Sequence, residues 1–317
     1  MLLRKMFRDL KENKGAYIAC IVVIVIGLMT FSSFSMAIRN LKLSQEDFYT
    51  EETFADGFAN VRSMPTEKIK KLGNIEGIQD IQGRIVHDVR VMGGSQGKAR
   101  EGKEVYLRLI SLDLENADII NNMRLLQGVP LGSNKLNIWL DNKFFEANNM
   151  SLNDEIKVII DGKEKTLQLA GVGMSPEFVY ALRTESDMFP DPEKFGIAFA
   201  PLGVVETLFP GKGTVNNIVF TLKPGVAYED VKGPLESELK PYGLERIFSR
   251  ADQVSHIMLD LEIRNVEAVA RYMPLIFLSI AGIILFIMLK RLTEQQRGQI
   301  GILKAFGYTS KEIMMHY

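Results

Sequence analysis

The chain has 317 residues, with 38 Lys and Arg against 39 Asp and Glu, a formal net charge of −1, and a hydrophobic share of 46%. A balance this near neutral gives no overall electrostatic bias toward nucleic acid, and no nucleic-acid partner is expected. The single cysteine, Cys20, excludes an intramolecular disulfide framework, and its place in an apolar run makes it a small apolar helix residue.

In chain order, residues 1–15 come first. Leu2, Leu3, Met6, Phe7 and Leu10 share one helical face, and Arg4, Lys5, Arg8 and Lys11 occupy the rest. This is the pattern of an amphipathic helix in the headgroup layer, and equally of an ordinary basic flank to a membrane anchor. Residues 16–37 (AYIACIVVIVIGLMTFSSFSMA) hold no charge over roughly 22 positions, enough to cross a bilayer with some tilt. A cleaved signal peptide has a shorter core of about 7–15 residues and a small-x-small cleavage site, which Ser33-Phe34-Ser35 imitates poorly. An uncleaved first transmembrane helix is therefore expected. Gly27, Ser32, Ser33 and Ser35 would let another membrane helix approach closely.

Residues 38–250 have soluble character and are read as one extracytoplasmic domain. Phe54 to Val61 reads as a strand, Pro65 to Leu72 as a helix, and Ile78 to Val91 as a strand pair or bent strand. The order repeats in Asn217 to Leu222, Tyr228 to Leu239 with Val231, Leu235 and Leu239 on one face, and Leu244 to Phe248. Two split βαβ units point to a ferredoxin-like α+β layer. Between them, over about 111–200, a β-rich insertion is expected as a small inserted subdomain. It holds a strand at Lys135 to Leu140, a short helix at Asn142 to Asn149, and a hairpin of Ile156 to Ile160 with Thr166 to Val172 across Asp161-Gly162.

Ser175-Pro176-Glu177-Phe178-Val179-Tyr180 follows that hairpin. Glu177, Phe178 and Tyr180 make it a candidate extracytoplasmic contact loop; a strand-exit loop whose Phe178 and Tyr180 plug the core is the other reading. Residues 251–271 continue as a stalk helix with an apolar stripe through Val254, Met258, Leu261, Val266 and Val269. Pro274 stands where the stalk enters the second span, residues 272–289 (YMPLIFLSIAGIILFIML), and removes a helical hydrogen bond there. Lys290 and Arg291 close that span. Basic flanks mark the cytoplasmic side of membrane helices, so both termini of this multi-pass cell-membrane chain are expected to be cytoplasmic. In 290–317, Ile300, Leu303 and Phe306 share a helical face, Gly307 offers a helix stop, and Thr309 or Ser310 a new N-cap.

Chemistry-bearing patterns are sparse. His87, His256 and His316 have no ligand-type spacing, so no metal or other cofactor is expected. Neither G-x-x-x-x-G-K-[ST] nor G-x-S-x-G occurs, which leaves no ATPase loop, no nucleophile elbow and no catalytic residue to nominate. Gly93-Gly94-Ser95-Gln96-Gly97 reads as a hairpin tip, and Asp187, Asp191 and Glu193 as a solvated turn.

Arg297, Gln299-Ile300-Gly301-Ile302-Leu303-Lys304-Ala305, Gly307 and Ile313 together resemble the segment after the second span of FtsX-like, MacB-type ABC transporter permeases, R-x-E-I-G-I-L-K/R-A-L-G-x-[ST]-x-x-x-I. Gln299 replaces the usual Glu, keeping hydrogen bonding but losing the charge, and Phe306 replaces the usual Leu. The order of strand, short helix, hairpin and Ser175–Tyr180 also resembles that family's extracytoplasmic core domain. The resemblance implies a cytoplasmic ABC ATPase partner docking on Glu294, Arg297, Gln299, Ile300, Gly301, Lys304, Ala305 and Gly307. It further implies a second permease half or subunit, a lipid environment, and ATP hydrolysis in a separate subunit. Work of this kind in the family exports lipoproteins, peptides or antibiotics, or regulates a cell-wall hydrolase. Such permeases have at least four spans, so this stretch is expected to be an N-terminal portion, ending before a third. A two-span sensor or adhesion protein with an extracytoplasmic ligand-binding domain is the alternative; a receptor would continue in heptads, which Gly298, Gly301 and Gly307 interrupt.

Overall fold

A computed structural model describes residues 14–92, 104–116, 118–132, 136–184 and 186–314. The amphipathic stretch of residues 2–11, the glycine-rich tip at 93–97 and His316 lie outside them. The chain divides into two units, Ser44–Leu261 and the two chain ends, Met1–Leu43 with Glu262–Tyr317.

Two helices dominate the unit of the ends. The first, α1 (Lys14–Glu51), has 38 residues, and the second, later in the chain, is α6 (Val254–Gln295) with 42. Both are long and apolar enough to cross a membrane. They contain the charge-free stretches 16–37 and 272–289 and extend beyond them. Pro274 lies inside α6 without ending it. In these apolar stretches Thr30 Oγ1 donates to the Ile26 carbonyl and Ser279 Oγ to that of Leu275, so each hydroxyl is satisfied within its own helix. A Cβ on Gly27 would stand 3.0 Å from Phe277 Cβ, so the missing side chain is what allows this approach.

Ser44–Leu261 contains two sheets. The smaller is built from β1 (Gly57–Pro65), β2 (Ile78–Arg84), β10 (Thr214–Leu222) and β11 (Leu244–Ser249), all antiparallel, in the order β11-β1-β10-β2. Helices α2 (Thr66–Leu72) and α5 (Tyr228–Leu239) follow β1 and β10. Their Ile69, Leu72, Val231, Leu235 and Leu239 bury one sheet face together with Ala59, Val61, Ile218 and Phe220. Period-two alternation then sends Phe58, Asn60, Asn217, Val219, Arg84, Arg246 and Phe248 to the opposite, helix-free face.

The larger sheet has seven strands in the order β5-β8-β6-β9-β4-β3-β7. They are β3 (Val86–Val91), β4 (Val105–Leu112), β5 (Arg124–Gly128), β6 (Asn137–Asp141), β7 (Glu155–Ile160), β8 (Lys163–Met174) and β9 (Phe195–Pro201). A further pairing of β7 with β8 closes six of these strands into a barrel-like ring and leaves β5 paired on β8 outside it. Leu107, Leu109, Ile138, Leu140, Val158, Leu167 and Leu169 fill it, each fully buried. The β7–β8 turn is Asp161-Gly162 with φ of 48° and 73°, the left-handed pair a two-residue hairpin requires. Short helices α3 (Asn142–Ala147) and α4 (Leu202–Leu208) follow β6 and β9. The Asp141 carboxylate caps α3 by accepting from Phe144 N and also accepts from Ile197 N; burial pushes its pKa up against these bonds.

This sheet begins at Val86, well ahead of residue 111, and with seven strands it is larger than the four-stranded layer. The stretch Ile78–Val91 is one extended run that changes sheet at Ile85, where Ile85 N donates to Ser111 Oγ. Val86 N donates to Asn216 Oδ1, and Asn216 Nδ2 returns to the Val86 carbonyl, stitching the crossing to β10.

Candidate functional site

Two places carry the residues singled out from the sequence, one in each unit. The first follows α6. Glu294 is exposed in its last turn, and after Gln296 the chain restarts as α7 (Arg297–Ala305) and then α8 (Ser310–Met314). Gly307, at φ 90°, ends α7: its N–H donates to the Lys304 carbonyl and the Tyr308 N–H to that of Leu303. That pair of bonds is a Schellman stop, which needs the left-handed conformation that glycine adopts without a Cβ penalty. Arg297, Gln299, Gly301, Lys304, Ala305 and Gly307 are exposed, while Ile300 and Leu303 are half-buried. Large apolar side chains are exposed with them, Ile302 at 58% and Phe306 at 78%. A Cβ on Gly301 would meet nothing within 4 Å, so no packing within the described residues requires a glycine there.

The second place is a cleft of about 450 Å³ in Ser44–Leu261. Its floor is the helix-free face of the four-stranded sheet, where Arg246, Asn60, Asn217 and Arg84 stand in one cross-strand row through β11, β1, β10 and β2. Beside it Phe248 stacks on Phe58, with ring centroids 5.1 Å apart.

The Ser175–Tyr180 loop closes one end of the cleft. Glu177 turns inward and is buried; its carboxylate accepts two bonds from Arg84, at 2.7 and 3.0 Å, and one from Asn121 Nδ2. Arg84 also donates to Asn217 Oδ1 from Nε and Nη2. A buried ion pair survives desolvation only when its remaining hydrogen-bond capacity is used, as here. Phe178 is partly buried against Phe199, at 6.3 Å between centroids, and Tyr180 lies under the Lys143 ammonium at 4.9 Å. The loop is tied to the start of α6 by Gln253 Nε2 donating to the Glu177 carbonyl and Tyr180 N donating to Ser255 Oγ. So Glu177, Phe178 and Tyr180 are together, plugging inward and lining the cleft.

On the cleft wall His87 stacks on Phe209 at 4.3 Å. Burial lowers its pKa, and Asp161 and Asp88 offset only part of that. Asp88 is paired with Arg108 at 2.8 Å. No group of three or more metal-ligating side chains occurs among the described residues. Asn60, Arg84, Asn217 and Arg246 belong to no motif in the sequence. Asn60 and Asn217 carried the one available signal, polar residues where a strand between two core layers would otherwise be apolar.

Two membrane-length helices and an intervening α+β domain define the general class. Within it, residues 272–317 match the model of the FtsX-like permease C-terminal family, which supports an ABC-type permease, a class that works with a cytoplasmic ATPase. No curated protein sequence matches the chain. Among solved structures, the chain is similar to the extracellular domain of the noncanonic ABC-type transporter YknZ from Gram-positive bacteria, at 11% identity and a TM-score of 0.38, over 59% of this chain and 92% of that one. It is also similar to the periplasmic region of MacB from Actinobacillus actinomycetemcomitans, at 13% identity and a TM-score of 0.38, over 66% of this chain and 92% of that one.

Proposed function

We propose that this chain is a permease subunit, or the N-terminal portion of one, in an ABC transporter of the FtsX/MacB type. The observation that carries this reading is the segment after α6. The family match falls on a membrane-length helix followed by α7, a Schellman stop and α8, with Arg297, Gln299, Gly301 and Lys304 turned outward beside exposed Ile302 and Phe306. An amphipathic helix with an uncovered apolar side and a glycine that no internal packing explains fits a groove in a partner. In this reading that partner is the cytoplasmic ATPase, contacted by Glu294, Arg297, Gln299, Ile300, Gly301, Lys304 and Ala305, with Gly307 shaping the break. The spans are residues 16–37 and 272–289, packed in lipid with a second permease half or subunit, and residues 38–250 form the extracytoplasmic domain. Strand order β11-β1-β10-β2, with a helix after its first and third strands in sequence, supports a ferredoxin-like layer. Nucleotide-driven movement of the segment would pass along the stalk, residues 251–271, to export a lipoprotein, peptide or antibiotic or to regulate a cell-wall hydrolase.

Co-purification from membranes tests this. The wild-type chain should capture a protein carrying G-x-x-x-x-G-K-[ST], and Gly301→Pro and Arg297→Glu should each lose it. A wild-type chain that reaches the membrane and captures no such ATPase overturns the reading.

A further inference from the structure

We propose that the cleft in Ser44–Leu261 binds a small zwitterion of the α-amino-acid type with an apolar side chain. The cleft alone carries this inference, whether or not the chain serves transport.

Hydrogen bonds along the floor run in one direction. Arg84 is a donor only, so Asn217 must turn its amide oxygen toward it; Asn217 Nδ2 then donates to Asn60 Oδ1 at 2.8 Å. That fixes Asn60 with its Nδ2 at the end of the chain, where it donates to no partner among the described residues. Arg246, opposite Asn60 on β11, adds a guanidinium to the same row. The end of the row therefore presents the Asn60 amide donor, beside a guanidinium that lies over the Phe248 ring at 4.5 Å, and this suits a carboxylate.

The strand irregularity next to it supplies the opposite charge. Asn60 pairs with Arg246 and Val61 with Leu244, so Glu245 is the extra residue of a bulge. Regular alternation would send Glu245 and Arg246 to opposite faces; here both line the cleft. Asp252 lines it as well. An anion and a cation on successive residues match the ammonium and carboxylate carried by one carbon. Charge balance agrees. Glu177 and Asp88 neutralise Arg84 and Arg108, while Glu245 and Asp252 balance Arg183 and Arg246, so the lining carries no net charge and favours a dipolar ligand over a polyion. Half-buried Phe248, Phe178, Tyr180 and Leu182 provide the apolar wall, and the volume lies within the roughly 300–1,000 Å³ of ordinary small-ligand pockets.

The test is saturation-transfer difference NMR on the full chain in lipid nanodiscs. The probes are L-phenylalanine and L-leucine, with L-phenylalaninamide (no carboxylate) and 3-phenylpropanoate (no ammonium) as controls. The proposal expects saturable binding of at least one amino acid, weakened about tenfold or more in each control and in Glu245→Gln and Arg246→Gln. Both substituted residues are exposed, so the fold should persist; Asn60→Leu probes the floor with thermal unfolding as its folding control. Absence of saturable binding overturns the proposal, as does equal binding of the controls or binding that survives both charge variants. Either result leaves ATPase capture unaffected, so failure here and failure of the permease reading are distinguishable.

Discussion

Arg84 and Glu177 stand 93 positions apart in the chain, yet their pairing joins β2 to the loop after β8. Both are buried, so removing one partner strands a charge without water. Arg84→Met alone should cost about 3–5 kcal/mol in thermal unfolding, and Glu177→Leu in the same chain should restore most of it. Independent losses that simply add would show that the pair is not coupled. His87 gives a second residue-scale expectation. Its pKa in the folded chain is lowered chiefly by burial, so the unfolded chain binds a proton more readily in the window just below the usual imidazole value. Stability should therefore rise with pH through that window and fall as pH drops from about 7 to 5. His87→Phe keeps a ring against Phe209 and should flatten that part of the pH profile.

At the scale of elements, α7 sets one glycine against another. Gly307 sits at φ 90°, so Gly307→Ala should loosen the Schellman stop by about 1–2 kcal/mol. Gly301 lies in open space, so Gly301→Ala should firm α7 by up to ~1 kcal/mol and, if the proposed ATPase contact holds, weaken capture of that partner. Hydrogen exchange at the α7 amides reads both changes. Features like these were legible in the sequence because they are local. Gly307 marked the stop and Asp161-Gly162 the hairpin, and Val231, Leu235 and Leu239 marked a buried helix face through their own spacing. The β3–β7 pairing that completes the ring of the larger sheet and that sheet's start at Val86 were not legible, because they depend on which distant strands pair. The Arg246-Asn60-Asn217-Arg84 row was hidden for the same reason, since register across four strands is set by the whole fold and not by neighbouring residues.

At the scale of the molecule, the two units carry different features. Ser44–Leu261 encloses a polar cleft floored by a buried ion pair, and the chain ends supply two membrane-length helices with the α7–α8 segment. In the proposed reading, the α7–α8 segment is where an ATPase engages the permease. A photo-crosslinking residue at Lys304, in the chain expressed in membranes with its captured ATPase, tests that contact directly. The expected result is an adduct between position 304 and an ABC ATPase, changed in yield by nucleotide and abolished by Gly301→Pro. An ATPase that co-purifies but never crosslinks from position 304 or from neighbouring exposed positions of α7, or a segment labelled only from outside the cell, would contradict it.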